Sequence, residues 1–76
     1  MARKTRDWVW VSRDKIGSFQ DRIEIWEQEI APKYTRGVYS GDDCVRVCQA
    51  GFVRVTGIKL KPGECRKVRF RAEFVE

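Results

Sequence analysis

The chain has 76 residues, 42% of them hydrophobic and 36% charged, with a net charge of +5. A chain this short buries only about 60% of the surface its unfolded form exposes, which limits it to one small domain and excludes a multidomain enzyme. The composition also excludes collagen-like, low-complexity and wholly disordered chains, no apolar run approaches the roughly 20 residues a membrane-spanning helix needs, and the absence of histidine removes the usual neutral-pH acid–base group.

Residues 1–7 open with Met-Ala-Arg-Lys-Thr-Arg, which has no apolar pattern, and are expected to form a flexible basic arm ahead of a single domain over 8–76. Trp8-Val-Trp-Val is aromatic and β-branched, and predicts a strand over 8–13. Asp14 to Asp21 contains Gly17 and Ser18 and predicts a loop. Arg22-Ile-Glu-Ile-Trp26 alternates, which predicts a second strand antiparallel to the first. A helix over 19–30 is the alternative, because Phe19, Ile23, Trp26 and Ile30 follow helical spacing, although Ile25 falls outside that stripe. Pro32 ends whatever precedes it, and residues 33–39 predict a third short strand interrupted by Gly37.

Residues 41–56 fit two descriptions. Val45, Val47, Val53 and Val55 suit two short strands around Gln49-Ala-Gly51. Cys44, Val47, Cys48, Phe52 and Val55 instead share one helical face, Ser40 and Asp43 form a capping pattern, and Gly57 suits a left-handed C-terminal cap. Start and stop signals agree, so a helix over this stretch is the expectation. Lys61-Pro-Gly-Glu64 predicts a type II turn. Val68, Phe70, Ala72 and Phe74 alternate with Lys67, Arg69, Arg71 and Glu73, which predicts a half-buried antiparallel strand. The expected fold class is therefore α+β, a small antiparallel sheet in the order β-β-(β)-α-β with one helix packed on one face. A hairpin at 41–56 would give a small all-β barrel instead.

Charge is unevenly spread. Residues 1–20 carry five basic and two acidic side chains, residues 21–43 three and six, and residues 44–76 eight and three. The two basic segments form one patch only if the chain ends meet in space. Lys67, Arg69 and Arg71 repeat every second residue, about 7 Å apart on a strand, close to the phosphate spacing of a nucleic-acid strand. With Arg46 and Arg54 they are the candidate nucleic-acid-binding set. The ordinary role of such residues is a solvated outer face that also protects a sheet edge.

Trp8, Trp10 and Trp26 are all even-numbered, whereas Val9, Val11, Ile23 and Ile25 are odd. If the hairpin pairs odd with odd, the aliphatics line the helix-covered face and the three tryptophans share the other, as a candidate partner-binding surface. A register shifted by one would instead bury Trp8 and Trp10 beside the isoleucines.

Catalytic patterns are poor. There is no nucleophile elbow and no phosphate-cradling glycine loop. Asp42 and Asp43 are adjacent, so on a helix they diverge. Cys65 precedes Arg66 and Lys67, which would favour its thiolate, but no base is apparent. Cys44, Cys48 and Cys65 are an odd number without zinc-site spacing, so no metal or cofactor is expected. With no apolar leader segment at the start, they suggest free thiols and a cytoplasmic location.

Trp8-Val-Trp-Val-Ser12 with Arg22-Ile-Glu-Ile-Trp26, and Phe52 leading through Thr56-Gly-Ile-Lys-Leu-Lys-Pro-Gly-Glu64, resemble small, mostly uncharacterised proteins encoded by phages and prophages. The two stretches cover under half the chain, and neither is diagnostic. The resemblance implies a compact accessory protein acting by binding, to host machinery or to nucleic acid, and assigns no functional residue. The function expected first is therefore a small cytoplasmic, non-enzymatic binding module, a phage-type accessory or inhibitor acting through a protein partner. The alternative is a nucleic-acid-binding protein using a basic strand and helix face. No membrane contact is expected.

Overall fold

The odd-numbered aliphatic residues of the first two predicted strands face one side of a sheet. A computed structural model of the chain describes residues 8–69. In it β1 (Trp8–Ser12) pairs antiparallel with β2 (Arg22–Trp26), with Trp10 opposite Trp26 and Val11 opposite Ile25. The register is therefore odd with odd. The alternative helix over 19–30 does not form.

The stretch expected to be one helix is a strand followed by a helix. Cys44–Cys48 is β5 and Gln49–Thr56 is α1. The reason is tertiary: β2 needs a second partner for its backbone groups, and Val45 and Val47 align opposite Ile25 and Ile23 when β5 supplies it. Ser40 and Asp43 consequently cap nothing, and Cys48 stands at the N-cap. The predicted stop is correct. Gly57 adopts φ +73° and its amide donates to the Val53 carbonyl at 2.8 Å, a cap for which glycine carries no Cβ penalty. Eight residues that include glycine and three β-branched side chains make a poor isolated helix. Burial of Phe52 holds α1 against the sheet.

Residues 33–40 form a hairpin of β3 (Lys33–Thr35) and β4 (Val38–Ser40), where a single interrupted strand was expected. Arg36 and Gly37 both have positive φ, 52° and 85°, as a two-residue turn matched to the strand twist requires. The predicted turn at 61–64 is present, with Gly63 at φ +82° and the Glu64 amide donating to the Lys61 carbonyl at 3.0 Å. It leads into β6 (Cys65–Arg69), antiparallel to β1. The remainder of the predicted last strand, with Phe70, Arg71, Ala72 and Phe74, lies outside the described residues, as does the expected arm at 1–7.

The result is an α+β fold: a four-stranded antiparallel sheet in the order β5-β2-β1-β6, a two-stranded sheet β3-β4, and one helix. Both sheets are open, so the all-β barrel alternative is overturned. Val11, Ile23, Phe52 and Leu60 are the buried core of the odd face, with Val9, Ile25, Val47, Ile58 and Val68 packed around them. Among the described residues no helix is long and apolar enough to cross a membrane.

Candidate functional site

The even face divides into a buried polar half and an open aromatic half. Trp26 lies in the buried half at 3% exposure, and its indole N–H donates to Ser12 Oγ at 2.8 Å. The chain entering β5 passes directly over the ring: a Cβ on Gly41 would lie 2.9 Å from it. Ser12 in turn donates to Glu24 Oε1 at 3.4 Å, and Arg46 Nε donates to Glu24 Oε2 at 3.1 Å. Asp14, also buried, accepts the Tyr39 amide at 2.9 Å and so fastens the β3-β4 hairpin to this face. Tyr39 Oη donates to the Gly63 carbonyl at 2.6 Å.

Glu24 is fully buried, and burial pushes its carboxyl up to about 7. Asp14 acts in the same direction by hydrogen bonding and by like charge, while Arg46 opposes both. Burial outweighs the one guanidinium, so Glu24 retains its proton more tightly than a carboxyl in water.

The open half belongs to β1 and β6. Trp8 and Trp10 are half-buried and meet edge to face, with ring centroids 6.1 Å apart, an arrangement the ring quadrupoles favour. Lys67 pairs with Trp10 across the strands, and its ammonium stands 4.0 Å from the Trp8 ring centroid and 5.9 Å from that of Trp10. Arg69 pairs with Trp8. The even register thus puts two indoles, an ammonium and a guanidinium on one corner, with the ammonium within reach of both rings.

The sequence-derived tryptophan set is therefore split. Trp8 and Trp10 share the open corner, whereas Trp26 is on the same face but covered, and so is not part of an exposed cluster. The basic set is split as well. Lys67 and Arg69 belong to the corner. Arg46 is bound to Glu24 and stacked over Phe19, 4.0 Å from the ring centroid. Arg54 is exposed on α1, on the other side of the sheet. Arg71 lies outside the described residues.

A second concavity went unnoticed in the sequence. Between α1 and the odd face runs an open-sided cleft of about 330 Å³, lined by Val9, Val11, Ile25, Val47, Phe52 and Val68, with Cys48, Gly51, Val55 and Thr56 along the helix side. It exists because α1 is too short to cover β1 and β6. The available signal was the ratio of elements in the expected order, one helix against a sheet of three or four strands.

Cys44 and Cys48 lie on one edge strand and Cys65 on the opposite one. Cys48 is exposed, and the opening amides of α1 at Gly51 and Ala50, with Arg22 and Arg54, hold its thiol below the ordinary value. Burial pushes the Cys44 and Cys65 thiols up. Comparison of the chain with protein-family models, with curated proteins and with solved structures finds no match in any of the three.

Proposed function

We propose that the protein is a non-enzymatic binding module, a phage-type accessory or inhibitor, that engages a protein partner through the corner formed by Trp8, Trp10, Lys67 and Arg69. One observation carries this reading: two half-exposed indoles packed edge to face at 6.1 Å, with the Lys67 ammonium already over them. Tryptophan and arginine dominate the energetics of protein interfaces, because they combine large apolar area with a polar or charged end. The pre-set geometry also reduces the ordering cost of binding. A partner with an apolar anchor and flanking carboxylates suits the corner.

A second reading is supported by the pairing of Trp8 with Arg69. That pairing sets Lys67 and Arg69 beside the two indoles, and a single-stranded nucleic acid would stack bases on indoles and set phosphates on cations. The two readings separate in one experiment. Immobilised protein is exposed to nuclease-treated host-cell lysate and, separately, to labelled single-stranded DNA and RNA, beside a Trp8→Ala/Trp10→Ala variant. The first reading expects a discrete protein retained by the wild type at about 150 mM salt and lost by the variant, since buried aromatic anchors respond weakly to salt. Retention of nucleic acid alone, weakening steeply as salt rises from about 50 mM, selects the second reading and rejects the first. Equal capture of the same protein by wild type and variant rejects the corner itself.

A further inference from the structure

The four-stranded sheet has two edges, β5 and β6, and they are built differently. β6 carries Arg66, Lys67 and Arg69, charges of the kind that protect an edge from pairing. β5 reads Cys44-Val-Arg-Val-Cys48 and has one charge. That charge is drawn back onto its own sheet: Arg46 Nε donates to Glu24 Oε2 at 3.1 Å, and the guanidinium lies 4.0 Å from the Phe19 ring centroid. Val45 is left 63% exposed at the edge.

The ladder fixes which backbone groups that edge presents. The Arg13 amide donates to the Glu64 carbonyl at 3.0 Å, and the Arg13 carbonyl accepts the Gly63 amide at 2.8 Å. Odd residues of β1 therefore bond towards β6. Bonding direction alternates along an antiparallel strand. Even residues of β1 then bond towards β2, and Ile23 and Ile25 of β2 bond to Val47 and Val45 of β5. The backbone groups of Cys44, Arg46 and Cys48 point outwards. Among the described residues no strand pairs with them.

The β5 sequence is the same read in either direction. A two-fold interface requires such self-complementarity, because each contact occurs twice with the partners exchanged. An antiparallel pairing about an axis at Arg46 sets the Arg46 amide against the Arg46 carbonyl of the second copy, and the Cys48 amide against its Cys44 carbonyl. Val45 then meets Val47 at the non-hydrogen-bonded positions, where opposite side chains approach most closely. Both valines lie on the odd face. The two arginines lean away from the axis, each towards its own Glu24. One step further along the register, Asp43 falls opposite Gln49, the first residue of α1. The first turn of that helix carries no acidic side chain, and a helix start favours a carboxylate.

We infer that β5 is a self-association edge, through which two copies of the chain pair antiparallel about Arg46 and join their four-stranded sheets into one. The tryptophan corner is at the opposite edge, so this pairing leaves it clear in both copies and does not depend on the function proposed for it.

The test uses the full chain under reducing conditions, which prevent disulfide-linked dimers. Sedimentation equilibrium from about 5 to about 500 µM should show a reversible monomer–dimer equilibrium, since association follows mass action. Amide hydrogen exchange at Arg46 and Cys48 should slow as concentration rises. Exchange at Val45 and Val47, already bonded to β2, should not. Val45→Lys places a second charge at an exposed position of the edge and acts twice in the dimer. It should weaken dimerisation at least about tenfold, with Val45/Lys45-site and Val47 exchange in the monomer unchanged as the control for folding. A monomer throughout the range overturns the inference. So does a dimer undiminished by Val45→Lys, a dimer found only without reductant, or one whose concentration-dependent protection falls at Lys67 on β6 instead of at Arg46 and Cys48.

Discussion

Trp8 and Arg69 stand directly opposite each other across β1 and β6. Sixty residues lie between them along the chain, and the β1–β6 pairing makes them neighbours in space.

 The acidic residues of the middle segment lie in and beside β2 and on the approach to β5, and this segment reaches the corner where the Glu29 carbonyl accepts the Trp10 indole N–H at 3.4 Å. Lys67 and Arg69 give this corner positive charge beside two indoles.

The tryptophans are expected to differ in what they cost when changed. Trp26→Phe removes the indole N–H that serves Ser12 and part of a buried ring, and should lower stability by about 1–3 kcal/mol. Trp8→Ala, at the half-exposed corner, should cost less than Trp26→Ala. Urea denaturation followed by far-ultraviolet circular dichroism measures both. A Trp26→Phe variant as stable as the wild type would remove the distinction between a covered and an open half of this face.

Glu24 should make stability depend on pH in an unusual direction for a carboxylate. Its carboxyl is raised from 4.5 to about 7 in the folded chain, so the folded state keeps a proton that the unfolded state releases. The contribution is complete below about 4.5, declines as pH rises, and is gone above about 7. Its full size is on the order of 3 kcal/mol at 1.36 kcal/mol per pKa unit. Relative to Glu24→Gln, which does not titrate, the wild type should lose stability across that window. Parallel stability curves for the two proteins from pH 4 to 8 would show that Glu24 carries no such linkage.

Thiol reactivity should follow environment. Cys48 is exposed and its thiolate is favoured by the helix-start amides and nearby arginines, whereas burial disfavours the thiolates of Cys44 and Cys65. With limiting iodoacetamide near neutral pH, peptide mass spectrometry should find Cys48 modified first. Preferential labelling of Cys65 would contradict this ordering.

Gly57→Ala should destabilise by about 1 kcal/mol, because φ +73° disfavours any residue with a Cβ. No atom lies within 4 Å of the Cβ that would be added, so the effect is backbone strain alone. Gly57→Asn should recover part of the loss, since asparagine tolerates the left-handed region better. Equal losses for alanine and asparagine would point to a cause other than the dihedral angle.

Much of the fold was legible because local pattern and tertiary structure agree. The alternation in Trp8–Ser12 and Arg22–Trp26, the turn at Lys61–Glu64 and the glycine stop after Thr56 each follow from side-chain period or backbone freedom, which are properties of a few adjacent residues. At 41–56 the local signals conflicted. Helical spacing and a capping pattern were both present, and the pairing demand of β2 decided for a strand over Cys44–Cys48. That demand comes from residues some 20 positions away along the chain, so no local window contains it.

The candidate site shows the same division. Sequence parity alone determined that Trp8, Trp10 and Trp26 share a face if odd pairs with odd, because successive strand side chains point to opposite sides. Only the tertiary structure chose that register, covered Trp26 with the chain at Gly41, bound Arg46 to Glu24, and brought Lys67 and Arg69 beside Trp8 and Trp10. It alone also left the cleft under α1 open. Period is written in neighbouring residues, whereas burial and juxtaposition depend on which distant segments arrive at the same place.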